Sequence, residues 1–157
     1  MKTAIAMFLL LITGIVGGVA MATDQDVVVG TWKLNVAKST FTSGGAIKSQ
    51  TRTYTQNGWD ITVVIKSVAA DGTQTTSQST YKVDGKDYPV TGNPDYDTLS
   101  GRQFTTHEAT FTLVKSGKPI GKTTRSVSLD GKTLTVKSNY ATAAGGKVES
   151  TLVFTRK

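Results

Sequence analysis

The sequence predicts an all-β domain, a closed up-and-down antiparallel β-barrel of about eight to ten strands. Three observations lead there. Short runs of alternating apolar and polar residues recur along the chain, and no stretch holds a helical period for long. Turn dipeptides separate the runs: Asn57-Gly58, Asp71-Gly72, Asp84-Gly85, Ser116-Gly117, Asp130-Gly131 and Gly145-Gly146. Asn-Gly and Asp-Gly supply the positive φ angles that tight hairpins require. A meander of that length leaves two exposed edges, and pairing its first strand with its last removes both.

The barrel is expected over residues 23–157, a single domain of 135 residues, large enough to bury a core without staples. The stretch before it reads as a secretory signal peptide, residues 1–22. Lys2 supplies a positive charge, Ala4 to Val19 is apolar and uncharged, and Ala20-Met21-Ala22 gives the small-x-small cleavage pattern. The apolar run is short for a membrane span and contains Gly14, Gly17 and Gly18, which favours export over anchoring. A secreted or periplasmic protein without stable membrane insertion is therefore expected. The chain has no Cys, so neither disulfides nor a lipidated N-terminal cysteine are available. The formal charge is +7, but Lys and Arg are scattered singly, with no basic run and no aromatic stacking platform. Nucleic acid is excluded as a partner, and a mild preference for acidic ligands or anionic surfaces remains.

Strands are expected near Val28–Asn35, Gln50–Gln56, Ile61–Ala69, Gln74–Val83, Lys86–Val90, Thr98–Phe104, Ala109–Lys115, Gly121–Leu129, Thr133–Thr142 and Lys147–Arg156. The first contains Gly30-Thr31-Trp32, and Trp32 is expected to plug the closed end of the barrel. The pleat then assigns inward rows. Ile61, Val63 and Ile65 form one; Ala109, Phe111 and Leu113 another. Leu134, Val136 and Tyr140 form a third, and Val148, Leu152 and Phe154 a fourth. A slip of one residue would expose a whole row, so the register is strict.

These rows are interrupted. Ser138 and Ser150 fall inside two of them, and Thr123 and Arg125 share parity with Val127 and Leu129. A packed core disfavours that many polar groups, whereas a lumen holding water or a ligand accepts them. The candidate ligand-contacting residues are Phe111, Arg125, Ser138, Tyr140, Ser150, Leu152 and Phe154. Between Lys86 and Gly101 the alternation breaks around Pro89, Gly92 and Pro94, which predicts an edge or a loop rather than central sheet.

Gly30-Thr31-Trp32-Lys33-Leu34 resembles the first strand of the calycin superfamily, the lipocalins and fatty-acid-binding proteins. The closing run Glu149–Arg156 and the segments Gly121–Arg125 and Asp130–Lys132 are similar to the latter group. Residues Asp84–Pro94 look like a group of exported bacterial lipocalin-like proteins. The resemblance implies a lipocalin-like barrel with structural roles for Gly30 and Trp32. It also implies a late basic residue, Arg156, packed across the tryptophan. It does not bring a ligand. Fatty-acid-binding proteins clasp a carboxylate with Arg and Tyr on the last strand, where this chain has Leu152 and Phe154. Arg125 could replace that charge. The interval Val36–Gly45 leaves no room for the two lid helices of that family. Avidin-type proteins share Gly-Thr-Trp and Ser-Thr-Phe, but this chain has two tryptophans, too few for a biotin box.

No cofactor, metal site or enzymatic activity is expected. His107 is the sole histidine, no nucleophile motif accompanies it, and turn geometry explains most of the aspartates. Asn93, Asp95 and Asp97 could offer oxygens to calcium, without the glycine-anchored loop such sites use. Two functions follow. The first is a carrier binding a small hydrophobic or amphiphilic ligand in its lumen. The alternative is a protease-inhibitor-like interaction barrel that meets an envelope protein through Tyr88 and Tyr96.

Overall fold

The computed structural model describes residues 24–43 and 46–157. The expected signal peptide lies outside the described residues. The described residues form eleven strands: β1 (Gly30–Leu34), β2 (Thr40–Ser43), β3 (Ile47–Asn57), β4 (Asp60–Ala69), β5 (Gln74–Tyr81), β6 (Asp84–Thr91), β7 (Thr98–Thr105), β8 (Glu108–Lys115), β9 (Lys118–Val127), β10 (Thr133–Ala141) and β11 (Lys147–Arg156). From β3 onward each strand pairs antiparallel with the next. β1 pairs with both β3 and β11, so the sheet closes on itself.

Strand β2 was not expected. It occupies the same position in the ring as β1, because both lie against β11, β1 on Phe154–Arg156 and β2 on Glu149–Thr151. A 3₁₀ turn at Val36–Lys38 separates the two halves. The Asn35 side chain caps it by accepting from Lys38 N at 3.2 Å. Ser39 Oγ donates to Asn35 O at 2.7 Å and accepts from Val153 N at 2.9 Å, which ties the kink to β11. The barrel therefore has ten strand positions.

The break expected over Lys86–Gly101 is corrected in its first half. Pro89 lies inside β6, within the barrel wall. Its effect on pairing is visible beside it. β5 and β6 share only the pairs Gln78–Thr91 and Ser79–Val90, and Ser79 Oγ reinforces the seam by donating to Pro89 O at 2.8 Å. Leu129 also departs from its expected inward parity. β9 ends at Val127, the Asp130-Gly131 turn begins, and Leu129 is 90% exposed.

The inward rows pack one end of the barrel, here called the base. Trp32 is fully buried there, with Tyr54, Ile61, Tyr81, Leu134 and Phe154 around it. Its indole Nε1 donates to Val28 O at 2.7 Å. The Arg156 guanidinium lies over the ring, 4.2 Å from its centroid. The same guanidinium donates through Nε to Gly131 O, through Nη1 to Val29 O and through Nη2 to Val27 O, at 2.6–2.7 Å. A Cβ at Gly30 would stand 2.5 Å from Arg156 Nη1, so glycine is required for this approach.

Residues Asp24–Val29 run across the base and form its floor. Asp26 is the fastening. Its Oδ2 accepts from Arg125 Nη2 at 2.7 Å, with both side chains buried. Its Oδ1 accepts from Val28 N at 2.9 Å, and its own N–H donates to Gln56 Oε1 at 2.7 Å. Arg125 also faces the Tyr54 and Phe111 rings, each at 5.8 Å.

Two stability outcomes follow from this packing. Trp32→Ala is expected to cost about 3–5 kcal/mol in denaturant unfolding, because it leaves a cavity among side chains that cannot collapse into it. Unchanged stability would place the ring outside the core. Asp26→Ala is expected to cost about 3–5 kcal/mol by leaving Arg125 charged, buried and unpaired. The double change Asp26→Leu, Arg125→Met should recover most of that loss, and a larger loss in the double variant would refute the pairing account.

Candidate functional site

The end opposite the base is hollow. A cavity of about 290 Å³ occupies the upper barrel. Its origin is legible strand by strand, because each inward row changes character halfway along. On β10 the row runs Leu134 and Val136, buried, then Ser138 and Tyr140. On β11 it runs Phe154 and Leu152, then Ser150 and Val148. On β4 it runs Ile61, Val63 and Ile65, then Ser67 and Ala69. Large residues fill the base; serines and alanines higher up leave volume unfilled.

The mouth is covered by the loop between β6 and β7. Gly92 (φ +72°) turns the chain where a Cβ would strike Thr76 O. Asn93 Oδ1 accepts from Asp95 N and Tyr96 N at 2.9 and 3.3 Å, which shapes the loop. Three straps then tie this region to neighbouring hairpins. Asp95 Oδ1 accepts from Ala143 N at 3.2 Å, Lys115 Nζ donates to Pro94 O at 3.2 Å, and Asp97 Oδ2 accepts from Ser116 N at 3.0 Å. The last of these hydrogen bonds is the main reason the Asp97 carboxyl sits below the usual carboxylate range. The Tyr96 ring meets Tyr140 edge to face, with centroids 5.8 Å apart. Burial raises both phenols above their ordinary range; Asp95 adds to this, and Arg52 opposes it.

The inner end of the cavity is polar. Arg52 pairs in register with Trp32 on β1 and Ile65 on β4. Its guanidinium lies 5.1 Å from the Phe154 ring centroid, and Nε donates to Gln50 Oε1 at 2.8 Å. Gln50 is 6% exposed and passes the chain on, Nε2 donating to Ser67 Oγ at 2.7 Å. Across the lumen, Thr123 Oγ1 and Ser138 Oγ share a hydrogen bond at 2.8 Å.

Of the residues singled out from sequence, Ser138, Tyr140, Ser150 and Leu152 line this cavity. Phe111, Arg125 and Phe154 lie below it in the packed base. Phe111 stacks edge-on against Tyr81 at 5.2 Å, Arg125 is engaged by Asp26, and Phe154 supports Arg52 from beneath. Burial pulls the Arg125 guanidinium down, but Tyr81 and Asp26 outweigh it and hold the group above its ordinary value. Gln50, Arg52, Ser67, Ser77 and Tyr96 also line the cavity and went unassigned as ligand contacts. The signal for two of them is the parity Gln50–Arg52–Tyr54 against Thr51–Thr53–Thr55, a row without an aliphatic residue and so without an apolar stripe to mark it. His107 belongs to the base, its Nδ1 3.1 Å from Val127 O. Among the described residues no three His, Cys, Asp or Glu side chains are grouped to hold a metal ion.

No family model and no curated protein sequence matches the chain. Solved structures do. EF1p2_mFAP2b bound to DFHBI aligns with a TM-score of 0.50 and 11% identity, over 83% of this chain and 94% of that one. A redesigned beta barrel, mFAP1, bound to DFHBI, aligns with a TM-score of 0.47 and 15% identity, over 83% of this chain and 95% of that one. At such identities the likeness is one of fold.

The buried phenols give a titration outcome. Tyr81, Tyr96 and Tyr140 are held above the ordinary phenol range, chiefly by burial. Their folded values exceed their unfolded ones, so the associated stability is complete below about pH 10 and declines as pH rises beyond it. Absorbance at the phenolate band should show these three residues ionising late, together with unfolding. Ionisation of Tyr81, Tyr96 and Tyr140 near pH 10 in the folded protein would contradict this.

Proposed function

We propose that this chain is an exported, lipocalin-like carrier that binds a small, mostly apolar ligand in its lumen. The cavity of about 290 Å³ above the sealed base is the observation that carries the reading. Ligand sites commonly span about 300–1,000 Å³, so the cavity suits a compact molecule. Its walls are Ile65, Leu113, Leu152 and aromatic rings, interleaved with Gln50, Arg52 and a series of serines and threonines. Burial of apolar ligand surface supplies the affinity, at roughly 25 cal/mol per Å², and the polar groups set orientation. EF1p2_mFAP2b, of similar fold, was solved bound to DFHBI; the cavity, not that likeness, is the ground for assigning a ligand here.

The remaining parts of the reading come from sequence. The signal-like residues 1–22 support export to a bacterial periplasm or the exterior, and Gly30-Thr31-Trp32 supports kinship with the calycins. We read the protein as non-enzymatic, with binding as its activity. The packing of the two tyrosines favours the carrier over the interaction-barrel alternative. Tyr96 packs on Tyr140 in the mouth, and Tyr88 is half-buried with its hydroxyl donating to Asp84 Oδ2 at 3.0 Å.

Native mass spectrometry of protein purified from its own envelope should reveal a co-purifying small molecule. The recombinant domain should bind N-phenyl-1-naphthylamine with a fluorescence rise. Ser150→Trp, which fills the cavity, should weaken that binding at least about tenfold while the unfolding midpoint stays near the parent's. A clean apo mass together with no dye response would overturn the carrier. The exported protein should begin at Thr23 on N-terminal sequencing.

A further inference from the structure

We propose that Arg52 makes the cavity selective for compact aromatic monoanions, bound with the anionic group at the inner end. This rests on the carrier reading and names the class of ligand that carrier takes.

The barrel interior holds two arginines, and the structure treats them differently. Arg125, in the base, has the Asp26 carboxylate at 2.7 Å. Arg52, at the inner end of the cavity, has no carboxylate within ion-pair distance among the described residues. A cation between low-dielectric walls attracts an anion far more strongly than one in open water does. Arg52 is also held in place. Its Nε is committed to Gln50, which is anchored on Ser67, and one face rests over Phe154. Nη1 and Nη2 donate to no partner among the described residues. Two guanidinium nitrogens in a fixed plane form a fork that matches the oxygens of a carboxylate or sulfonate.

The rest of the cavity selects the body of the ligand. Ile65, Leu113 and Leu152 offer apolar wall, and the Tyr96–Tyr140 pair offers ring faces and edges near the mouth. A volume of about 290 Å³ favours a body of two fused rings over a long chain. Asp95 sets the orientation of the bound anion. It lies at the mouth, strapped to Ala143, so negative charge stands at the rim and positive charge inside. An anion is repelled at the rim and stabilised at Arg52.

The test uses two probes with the same rings, 8-anilinonaphthalene-1-sulfonate and uncharged N-phenyl-1-naphthylamine. Both are titrated into the parent domain, Arg52→Gln and Lys66→Gln. Lys66 is exposed on the outer wall of β4, so its change removes the same charge without touching the lumen. The parent should bind the sulfonate at least about tenfold tighter than the neutral probe. Arg52→Gln should lose that preference while keeping its affinity for the neutral probe, and Lys66→Gln should keep the preference. Equal affinities in the parent, or the same loss in both variants, would overturn anion selection and leave the carrier standing. If neither probe binds the parent, both readings fall. Should Arg52→Gln not fold, the arginine Nε–H resonances of the parent decide. The Arg52 signal must shift on adding the sulfonate and stay still with the neutral probe; no shift with the sulfonate refutes the assignment.

Discussion

The Arg156 guanidinium over Trp32 is the contact on which the barrel depends. One planar group lies 4.2 Å from the indole centroid and donates to Val27 O, Val29 O and Gly131 O. It thereby joins the last strand to the first, to the segment beneath them and to the β9–β10 turn. Closure of the ring and sealing of the base are one event, because β1 pairs with β11 through Trp32–Arg156. With no disulfide available, this cation–π contact and its carbonyl partners stand where a cross-link would.

A sealed base fixes what the upper half can be. Trp32, Phe154 and Leu134 exhaust the apolar volume low in the barrel, and the same strands continue upward with Ser138, Ser150 and Ser67. The division runs through the polar groups as well. Arg125 below is neutralised by Asp26 within the packed base, whereas Arg52 above is positioned by Gln50 and left unneutralised. The two arginines mark the boundary between the packed part of the lumen and the hollow part.

Much of this was legible in the sequence because a half-buried strand writes its geometry into a period of two. The closing strands, β10 and β11, were read residue by residue, including the serines that open the cavity. Turn chemistry placed the hairpins, and Asp71, Asp84 and Asp130 do accept from the backbone N–H two residues on. What was not legible depends on pairing across long separations. Arg125 reads as a free lumen charge until Asp26, 99 residues away, is seen against it. Arg52 carries no such mark, because the inward row of β3 is Gln, Arg and Tyr and shows no apolar alternation. β2 is four residues long and offers too little pattern to register. Pro89 argued against a central strand, and β6 accommodates it by nearly giving up its ladder to β5.

The strapped mouth has a kinetic consequence. Asp95, Lys115 and Asp97 fasten the covering loop to two separate hairpins, so little conformational entropy remains to be lost when the lumen fills. On the carrier reading, the same fastenings hinder passage through the mouth. Entry and escape share that barrier, and loosening a strap would hasten both and, by restoring entropy to be lost on filling, lower equilibrium occupancy. On the carrier reading, such a mouth favours long residence of a bound molecule over rapid exchange.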